Sequence, residues 1–276
     1  MVIDGQTRLG EIGFAAFDIE TTGLNPMDDK ILEMAVVTFQ RNTIQETLDS
    51  LVNPGILIPE FVKKIHGIDD EMVKNMPGLP ELITDYITPL SRSVVVAHNV
   101  SFDLSFFGEA MKAHGHGELS TPVVDSCELA RQVFPGLPSY KLTSLVAKFG
   151  LDCEQSHRAL SDAKSCFALF CKCVEALPKQ WETTWEEFRL LFTGIFEADI
   201  ENLVLPEKFT PVKEALKTRK RVILSYRDAQ GQLTNRSVTP MGFASERNSL
   251  VLIGFCHLRQ SKRTFRLDRI VEIEVG

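Results

Sequence analysis

The stretch FDIETTGL, residues 17–24, sets two acidic residues one position apart at the end of an apolar run and follows them with a Thr-Thr-Gly turn. The run GFAAFDIE (13–20) predicts a buried strand. Because side chains alternate along a strand, Asp18 and Glu20 are expected on one face of it. Two adjacent carboxylates repel each other, so the pair indicates either a cation between them or a solvated strand end.

The segments that follow predict an α/β sheet. Strands are predicted over 31–40 and 43–52, joined by a tight turn, and the later elements alternate between helix and strand. These later elements are a helix in PELITDYITPL that ends near Pro89, the strand SVVVAHN, a helix from Ser101 to Gly115, the strand TPVVDS, and helices at 126–134, 140–149 and about 159–177. Three strands followed by this alternation favour a sheet with helices on its faces.

Charge divides the chain near Pro206. Residues 206–276 hold 14 Lys and Arg against 7 Asp and Glu, whereas residues 1–205 hold 16 against 30. We therefore expect an acidic domain over 1–178, a helical connector over 179–205 and a basic, β-rich domain over 206–276, whose last predicted strand is RTFRLDRIVEIEV. The connector carries an aromatic helical face, expected to pack on one domain, with a partner groove as the alternative; its residues are Trp181, Trp185, Phe188 and Phe192.

Composition favours a soluble cytoplasmic protein. Of its 276 residues, 44% are hydrophobic and 24% charged, no run of 18 apolar residues occurs, and the N-terminal segment shows no secretion signal. The cysteines lack the spacing of zinc ligands and are expected as packed, reduced thiols. They are Cys127, Cys153, Cys166, Cys171, Cys173 and Cys256.

Two further segments set polar residues at predicted element ends. AHNVSFD follows a buried strand and opens a helix, so Asn99 and Asp103 lie at a junction where α/β sheets commonly bind ligands. In HRALSDA, His157 and Asp162 would lie roughly 140° apart on a continuous helix, so they converge only if His157 precedes that helix. Each segment alone is a weak signal, but together with Asp18 and Glu20 they indicate one site.

FDIETTGL, HNVSFD and HRALSDA resemble the three motifs of the DEDDh 3′→5′ exonucleases, the group that includes the epsilon proofreading subunit of bacterial DNA polymerase III. The resemblance covers about residues 12–177, and His157 in place of a Tyr is what identifies the DEDDh branch. It implies a ribonuclease H-like α/β fold with a mixed five-stranded sheet. It also implies that Asp18, Glu20, Asp103 and Asp162 hold metal ions.

The chemistry of these residues agrees with that implication. Four carboxylates offer only oxygen ligands, which suit two hard divalent ions, Mg²⁺ or Mn²⁺. His157, with an ordinary pKa near neutrality, is expected to take a proton from the attacking water as general base. The 3′-terminal nucleotide is expected against Thr21, Thr22, Gly23 and Leu24. His66, Asn99 and Phe102 are further substrate-side candidates, with an ordinary surface or capping role as the alternative for His66.

The C-terminal segment resembles a WYL domain, a small Sm-like β-barrel of bacterial regulators, over about residues 209–275. The resemblance depends mainly on RTFRLDRI, and Leu250-Val251-Leu252 replaces the Trp-Tyr-Leu of the family name, which reduces any aromatic stacking surface. Arg236, Arg263, Arg266 and Arg269 match basic family positions and are candidates for phosphate contacts. The alternative is that Arg269 and Asp268 form structural ion pairs within the barrel and that the other arginines form a solvated face.

The sequence therefore predicts a metal-dependent 3′→5′ exonuclease that releases nucleoside monophosphates from DNA 3′ ends, with a basic domain that binds or senses nucleic acid. Single-stranded 3′ ends are the expected substrate, and a DNA polymerase or repair complex is a candidate partner; no membrane is expected. Two alternatives remain open: an exoribonuclease, and a non-catalytic nucleic-acid-binding regulator.

Overall fold

The computed structural model describes residues 3–151, 157–191, 195–196, 206–218, 220–228, 231–246 and 249–275. The chain forms two compact units, Met1–Ala198 and Asp199–Gly276. None of the helices in these described ranges has the length and apolar character needed to cross a bilayer.

The first unit contains a six-stranded sheet in the order β3-β2-β1-β4-β5-β6. Strands β1 to β3 pair antiparallel, β4 and β5 continue parallel to β1, and β6 pairs antiparallel with β5. The strands are β1 (Phe14–Thr21), β2 (Ile31–Gln40), β3 (Thr43–Leu51), β4 (Val94–Ala97), β5 (Val123–Asp125) and β6 (Ile195–Phe196). The mixed five-stranded sheet of the prediction is therefore present, extended by the two-residue β6.

Eight α-helices belong to the described part of this unit. They are α1 (Glu60–His66), α2 (Asp70–Val73), α3 (Leu79–Arg92), α4 (Ser101–Ala113), α5 (Ser126–Val133), α6 (Leu142–Phe149), α7 (Ala159–Glu175) and α8 (Trp185–Leu191). The helix predicted in PELITDYITPL is α3, and it ends at Arg92, three residues beyond Pro89. Leu90 is fully buried, so the apolar face continues past the proline. Pro89 has no N–H to donate to the carbonyl of Asp85, four residues earlier. Asp85 is exposed, so water can donate to that carbonyl instead.

The two faces of the sheet pack against different helices, and β1 shows how. Phe14 and Ala16 face a core that includes Phe170 of α7, whereas Ala15 and Phe17 face a core that includes Phe107 of α4. Strand alternation therefore directs the side chains of Asp18 and Glu20, which follow in the same register, toward the α7 side.

The aromatic face of the predicted connector packs on the first unit. Trp181, Trp185 and Phe188 are buried in the same core as Phe170, and Trp185 stacks on Phe188 with ring centroids 5.8 Å apart. For these three residues, packing on one domain is therefore confirmed, and the alternative of a partner groove is wrong. Phe192 lies outside the described residues.

The second unit contains a short helix and a five-stranded antiparallel sheet, with strand order β10-β9-β8-β7-β11. The elements are α9 (Thr210–Thr218), β7 (Val222–Arg227), β8 (Leu233–Glu246), β9 (Ser249–Cys256), β10 (Ser261–Arg266) and β11 (Ile270–Val275). The predicted single strand RTFRLDRIVEIEV is two strands, because Leu267–Arg269 forms a 3₁₀ turn that buries Leu267. Within the described ranges, β10 and β11 do not pair, so the closed Sm-like barrel is not confirmed.

Candidate active site

Three segments that are distant in the sequence meet beside the end of β1. Asp103 lies in the first turn of α4, is 3% exposed, and its Oδ1 accepts a hydrogen bond from the N–H of Ile19 at 3.2 Å. Ile19 separates Asp18 from Glu20, so this bond fixes the α4 carboxylate against the strand that carries the other two. The structure thus brings the first two motifs together.

The third motif contributes His157 and Asp162. His157 has φ 62° and lies two residues before α7, and its backbone N–H donates to Asp162 Oδ2 at 3.1 Å. The requirement that His157 precede the helix is therefore met. One donor atom each of Glu20, His157 and Asp162 lies within 4.8 Å of the others, a grouping that could hold a metal ion.

Three of the carboxylates at this site, Asp18, Glu20 and Asp162, hold their protons more tightly than ordinary carboxyl groups. Burial, followed by repulsion from Asp103, Asp162 and Glu20, raises the pKa of Asp18. Burial and then the charges of Asp162 and Glu33 raise the pKa of Glu20 to about 8. Burial also raises the pKa of Asp162. Ionised carboxylates this close together repel one another, and bound divalent cations would offset that repulsion. Oxygen ligands are the type that such cations prefer.

The turn after β1 is rigidly organised, and Asp29 organises it. The Asp29 carboxylate accepts from the N–H of Asn25 at 2.8 Å and from the hydroxyl of Thr22 at 3.3 Å. A Cβ on Gly23 would collide with that carboxylate and would have to displace the Asp29 side chain. Thr21 is buried, whereas Leu24 is 54% exposed. Sequence reasoning missed Asp29, whose signal was its place just before β2.

The three weaker substrate-side candidates, His66, Asn99 and Phe102, have different surroundings. His66 is 4% exposed, so it is not a surface residue, and its Nδ1 accepts from the N–H of Ile68 at 3.0 Å, as a capping side chain does; its contact with substrate stays a prediction. Burial lowers the pKa of His66 despite the opposing charge of Glu33. Asn99 has φ 63° at the junction before α4, and Phe102 is partly buried with its ring 5.1 Å from that of Phe106.

Asp125 holds the junction that carries Asn99 and Asp103. Its carboxylate accepts from the backbone N–H groups of Asn99 at 3.3 Å and Val100 at 3.2 Å, and from those of Cys127 at 2.9 Å and Glu128 at 3.2 Å. One side chain thereby caps α5 and ties the second motif to it. The sequence placed Asp125 at a strand end but gave no partner for it.

His98 of the second motif is a structural residue. Its Nε2 lies 2.9 Å from the Tyr140 carbonyl oxygen, which can only accept, so Nε2 carries the proton. Its Nδ1 then accepts from the Ser126 hydroxyl at 2.9 Å. Burial lowers the pKa of His98, in agreement with a neutral ring.

The cysteines described by the structure are free and buried, as expected of packed thiols. They are Cys127, Cys166, Cys171, Cys173 and Cys256. Cys153 lies outside the described residues.

The four candidate arginines of the second unit differ in their surroundings. Arg266 forms a two-bond ion pair with Asp268, at 3.0 and 2.8 Å, so the ion pair that the alternative interpretation assigned to Asp268 is made with Arg266. Arg236 donates to Thr234 Oγ1 at 3.2 Å, Arg263 is exposed and Arg269 is partly exposed. Val251 and Leu252, at the family's aromatic positions, are fully buried and offer no stacking surface.

Family comparisons agree with this geometry. The Exonuclease (RNase_T) family model matches residues 15–170, and the WYL domain model matches residues 207–275. The chain is 39% identical over 171 residues to the DNA polymerase III subunit epsilon of Treponema pallidum, a match that covers 61% of this chain and 80% of that one. It is 37% identical over 177 residues to DNA polymerase III PolC-type of Caldanaerobacter subterraneus, covering 64% of this chain and only 13% of that protein.

Solved structures show the same fold at low sequence identity. The nuclease domain of 3'hExo, a DEDDh family member solved with rAMP, matches with TM-score 0.52 and 18% identity, over 59% of this chain and 92% of that one. E. coli Exonuclease I in complex with a dT13 oligonucleotide matches with TM-score 0.58 and 15% identity, over 88% of this chain and 55% of that one. The chain therefore belongs to the exonuclease family of DEDDh type, whose members depend on metal ions, and it is a 3′→5′ exonuclease that carries a C-terminal WYL domain.

Proposed function

We propose that this exonuclease hydrolyses the terminal phosphodiester bond of DNA, preferably at single-stranded 3′ ends, and releases nucleoside monophosphates. The observation that carries the proposal is the meeting of Asp18, Glu20, Asp103 and Asp162 with His157 beside the end of β1. A binding module has no need of five such groups, and membership of the exonuclease family argues in the same direction against a non-catalytic regulator.

The four carboxylates would hold two divalent cations, Mg²⁺ or Mn²⁺. When bound, such ions lower the pKa of water and stabilise the charge that develops on the leaving 3′ oxygen. His157 takes the proton of the attacking water. Its exposed imidazole lies beside Glu20 and Asp162, where solvent and substrate can reach it.

The turn from Thr21 to Leu24 would hold the terminal nucleotide. Its backbone is held by Asp29 and by the bond from the Thr22 N–H to the Lys30 carbonyl at 2.8 Å, so the N–H groups of Gly23 and Leu24 are the ones that would face the 3′-hydroxyl. The exposed Leu24 side chain would lie beside the terminal base. Asn99 and Phe102, at the start of α4, and His66, at the end of α1, are the remaining contacts that we propose for the substrate.

The second unit would supply affinity for the strand. Residues 206–276 carry a charge of +7, which attracts phosphates, and Arg236, Arg263, Arg266 and Arg269 are the candidate contacts. Because the aromatic family positions are replaced, the contribution is expected to be electrostatic and independent of base sequence. The domain limits 1–178, 179–205 and 206–276, the cytoplasmic location and a polymerase or repair partner belong to the same proposal.

Degradation assays on the full chain test the proposal. End-labelled single-stranded DNA, duplex DNA and RNA are incubated with Mg²⁺, Mn²⁺ or EDTA, and Asp18→Ala serves as the inactive control. We expect metal-dependent shortening of single-stranded DNA from its 3′ end, absent in the variant. Faster degradation of RNA would establish the exoribonuclease alternative instead. If no substrate is degraded with either Mg²⁺ or Mn²⁺, the proposal is contradicted.

A further inference from the structure

An ion pair between the buried Glu33 and the partly buried Arg158 joins β2 to the segment that carries His157. The Glu33 side chain is 2% exposed, and both of its oxygens accept from Arg158 Nε at 3.1 Å. Arg158 Nη2 donates to Glu33 Oε1 at 2.6 Å, and the backbone N–H of Ala159 donates to Oε2 at 2.9 Å. Four hydrogen bonds on one buried carboxylate satisfy it and fix both the side chain of Arg158 and the first residue of α7.

This pair adjoins the catalytic carboxylates on two sides. Glu33 lies opposite Glu20 in the antiparallel pairing of β1 with β2, on the face directed toward α7. Arg158 immediately follows His157, and its carbonyl accepts the N–H of Asp162 at 2.9 Å. The residue held by Glu33 is therefore bonded to the candidate general base and begins the helical turn that carries Asp162.

The backbone of His157 needs such support. Its φ of 62° lies in the left-handed region, which costs free energy for a residue other than glycine and persists only where the surroundings impose it. The bond from its N–H to Asp162 fixes one side of the residue. The anchored Arg158 fixes the other side, so rotation of the His157 peptide would have to break one of these two attachments.

We propose that Glu33 and Arg158 are positioning residues that hold His157 in place for proton transfer. The inference rests on the proposed function, because it assumes that His157 is the general base. Arg158 acts through its neighbour and does not touch the substrate. The alternative is a purely structural anchor, which would affect stability and leave the rate of the folded enzyme unchanged.

A double-mutant cycle on the full chain separates the two. Arg158→Gln, His157→Ala and the combined variant are assayed for kcat and KM on single-stranded DNA at saturating Mg²⁺, at a temperature where circular dichroism shows each to be folded. Arg8→Gln is the matched control, since Arg8 forms an exposed ion pair with Glu182 at 2.8 Å. Because removal of one partner from a buried pair destabilises a protein, Glu33→Met combined with Arg158→Met provides a variant without an unpaired buried charge.

We expect Arg158→Gln and the paired methionine variant to lower kcat about 10- to 100-fold with KM little changed, the loss typical of a catalytic group displaced by about an ångström. In the His157→Ala background, the same substitution should lower kcat less than about threefold, because there is no base left to position. Unchanged kcat in the folded variants, or a full additional loss in the His157→Ala background, would overturn the inference. Normal activity of His157→Ala itself would instead refute the role proposed for the base.

Discussion

In the metal-free protein, the free energy of unfolding should decrease as pH rises, because the site then consists of carboxylates that resist ionisation. In the folded protein the pKa of Glu20 is raised to about 8, whereas an ordinary glutamate ionises near 4.5. Between about pH 6.5 and 8.5 the folded state therefore holds a proton that the unfolded chain has already released. The unfolded state binds fewer protons, so the free energy of unfolding decreases with pH across this window.

The magnitude follows from these two pKa values. Integrating the proton difference for Glu20 alone gives a loss of about 2 kcal/mol between pH 6.5 and 8.5. Asp18 and Asp162 also have raised pKa values, so their ionisation lowers the free energy of unfolding in the same direction over the pH range in which each loses its proton. His66 and His98 have lowered pKa values, so the unfolded chain binds protons at these residues more readily than the folded protein does, and their contribution opposes the loss at the lower end of this window.

Urea denaturation of the EDTA-treated protein at several pH values in this window measures the effect. Glu20→Gln should remove about 2 kcal/mol of the pH dependence, while Glu46→Gln, at an exposed position on β3, should leave it unchanged. Saturating Mg²⁺ should flatten the profile of the wild-type protein, since a bound cation favours the ionised carboxylates. If Glu20→Gln and the wild-type protein show the same pH dependence without metal, the electrostatic account of the site is refuted.

Three further predictions follow from individual contacts. Gly23→Ala should destabilise the protein by about 1–3 kcal/mol and lower kcat/KM, because the new Cβ displaces Asp29; thermal unfolding and steady-state kinetics measure both. Asp125→Ala should cost about 2–4 kcal/mol in urea unfolding, since four backbone N–H groups lose their acceptor, and Asp125→Asn should cost less. Arg263→Gln should weaken DNA binding and reduce the slope of log K against log salt by about 0.7 for single strands; an unchanged slope would count against this contact.

Local patterns in the sequence were sufficient for most of the fold. Residues 31–40 and 43–52 have the alternating or continuous pattern of apolar residues that is typical of strands. In the structure, β2 and β3 lie within one residue of those limits. The exceptions are tertiary effects. Pro89 does not end α3, because burial of Leu90 outweighs the lost backbone bond. Leu267 interrupts the last predicted strand because the core of the second unit takes its side chain.

In the candidate site, too, local patterns predict some residues and not others. The candidate catalytic residues were predictable, because each lies near the end of an element and has a side chain that suits one chemistry; they are Asp18, Glu20, Asp103, His157 and Asp162. The residues that hold them in place were not predictable. Glu33 and Arg158 are 125 residues apart in the chain, and nothing in either local sequence specifies that they meet. Asp125 likewise serves a backbone turn 25 residues away. Such pairs depend on strand order and register, which local patterns do not specify.

Magnesium or manganese binding and DNA hydrolysis, measured together on three proteins, test the central claim most directly. Isothermal titration gives metal affinity, and release of labelled nucleotides from a single-stranded 3′ end gives the rate. The account predicts that the wild-type protein binds metal and hydrolyses DNA, that Asp18→Asn loses both, and that His157→Ala keeps metal binding but loses most of the rate. Full hydrolysis by Asp18→Asn, or hydrolysis by the wild-type protein in excess EDTA, would contradict it.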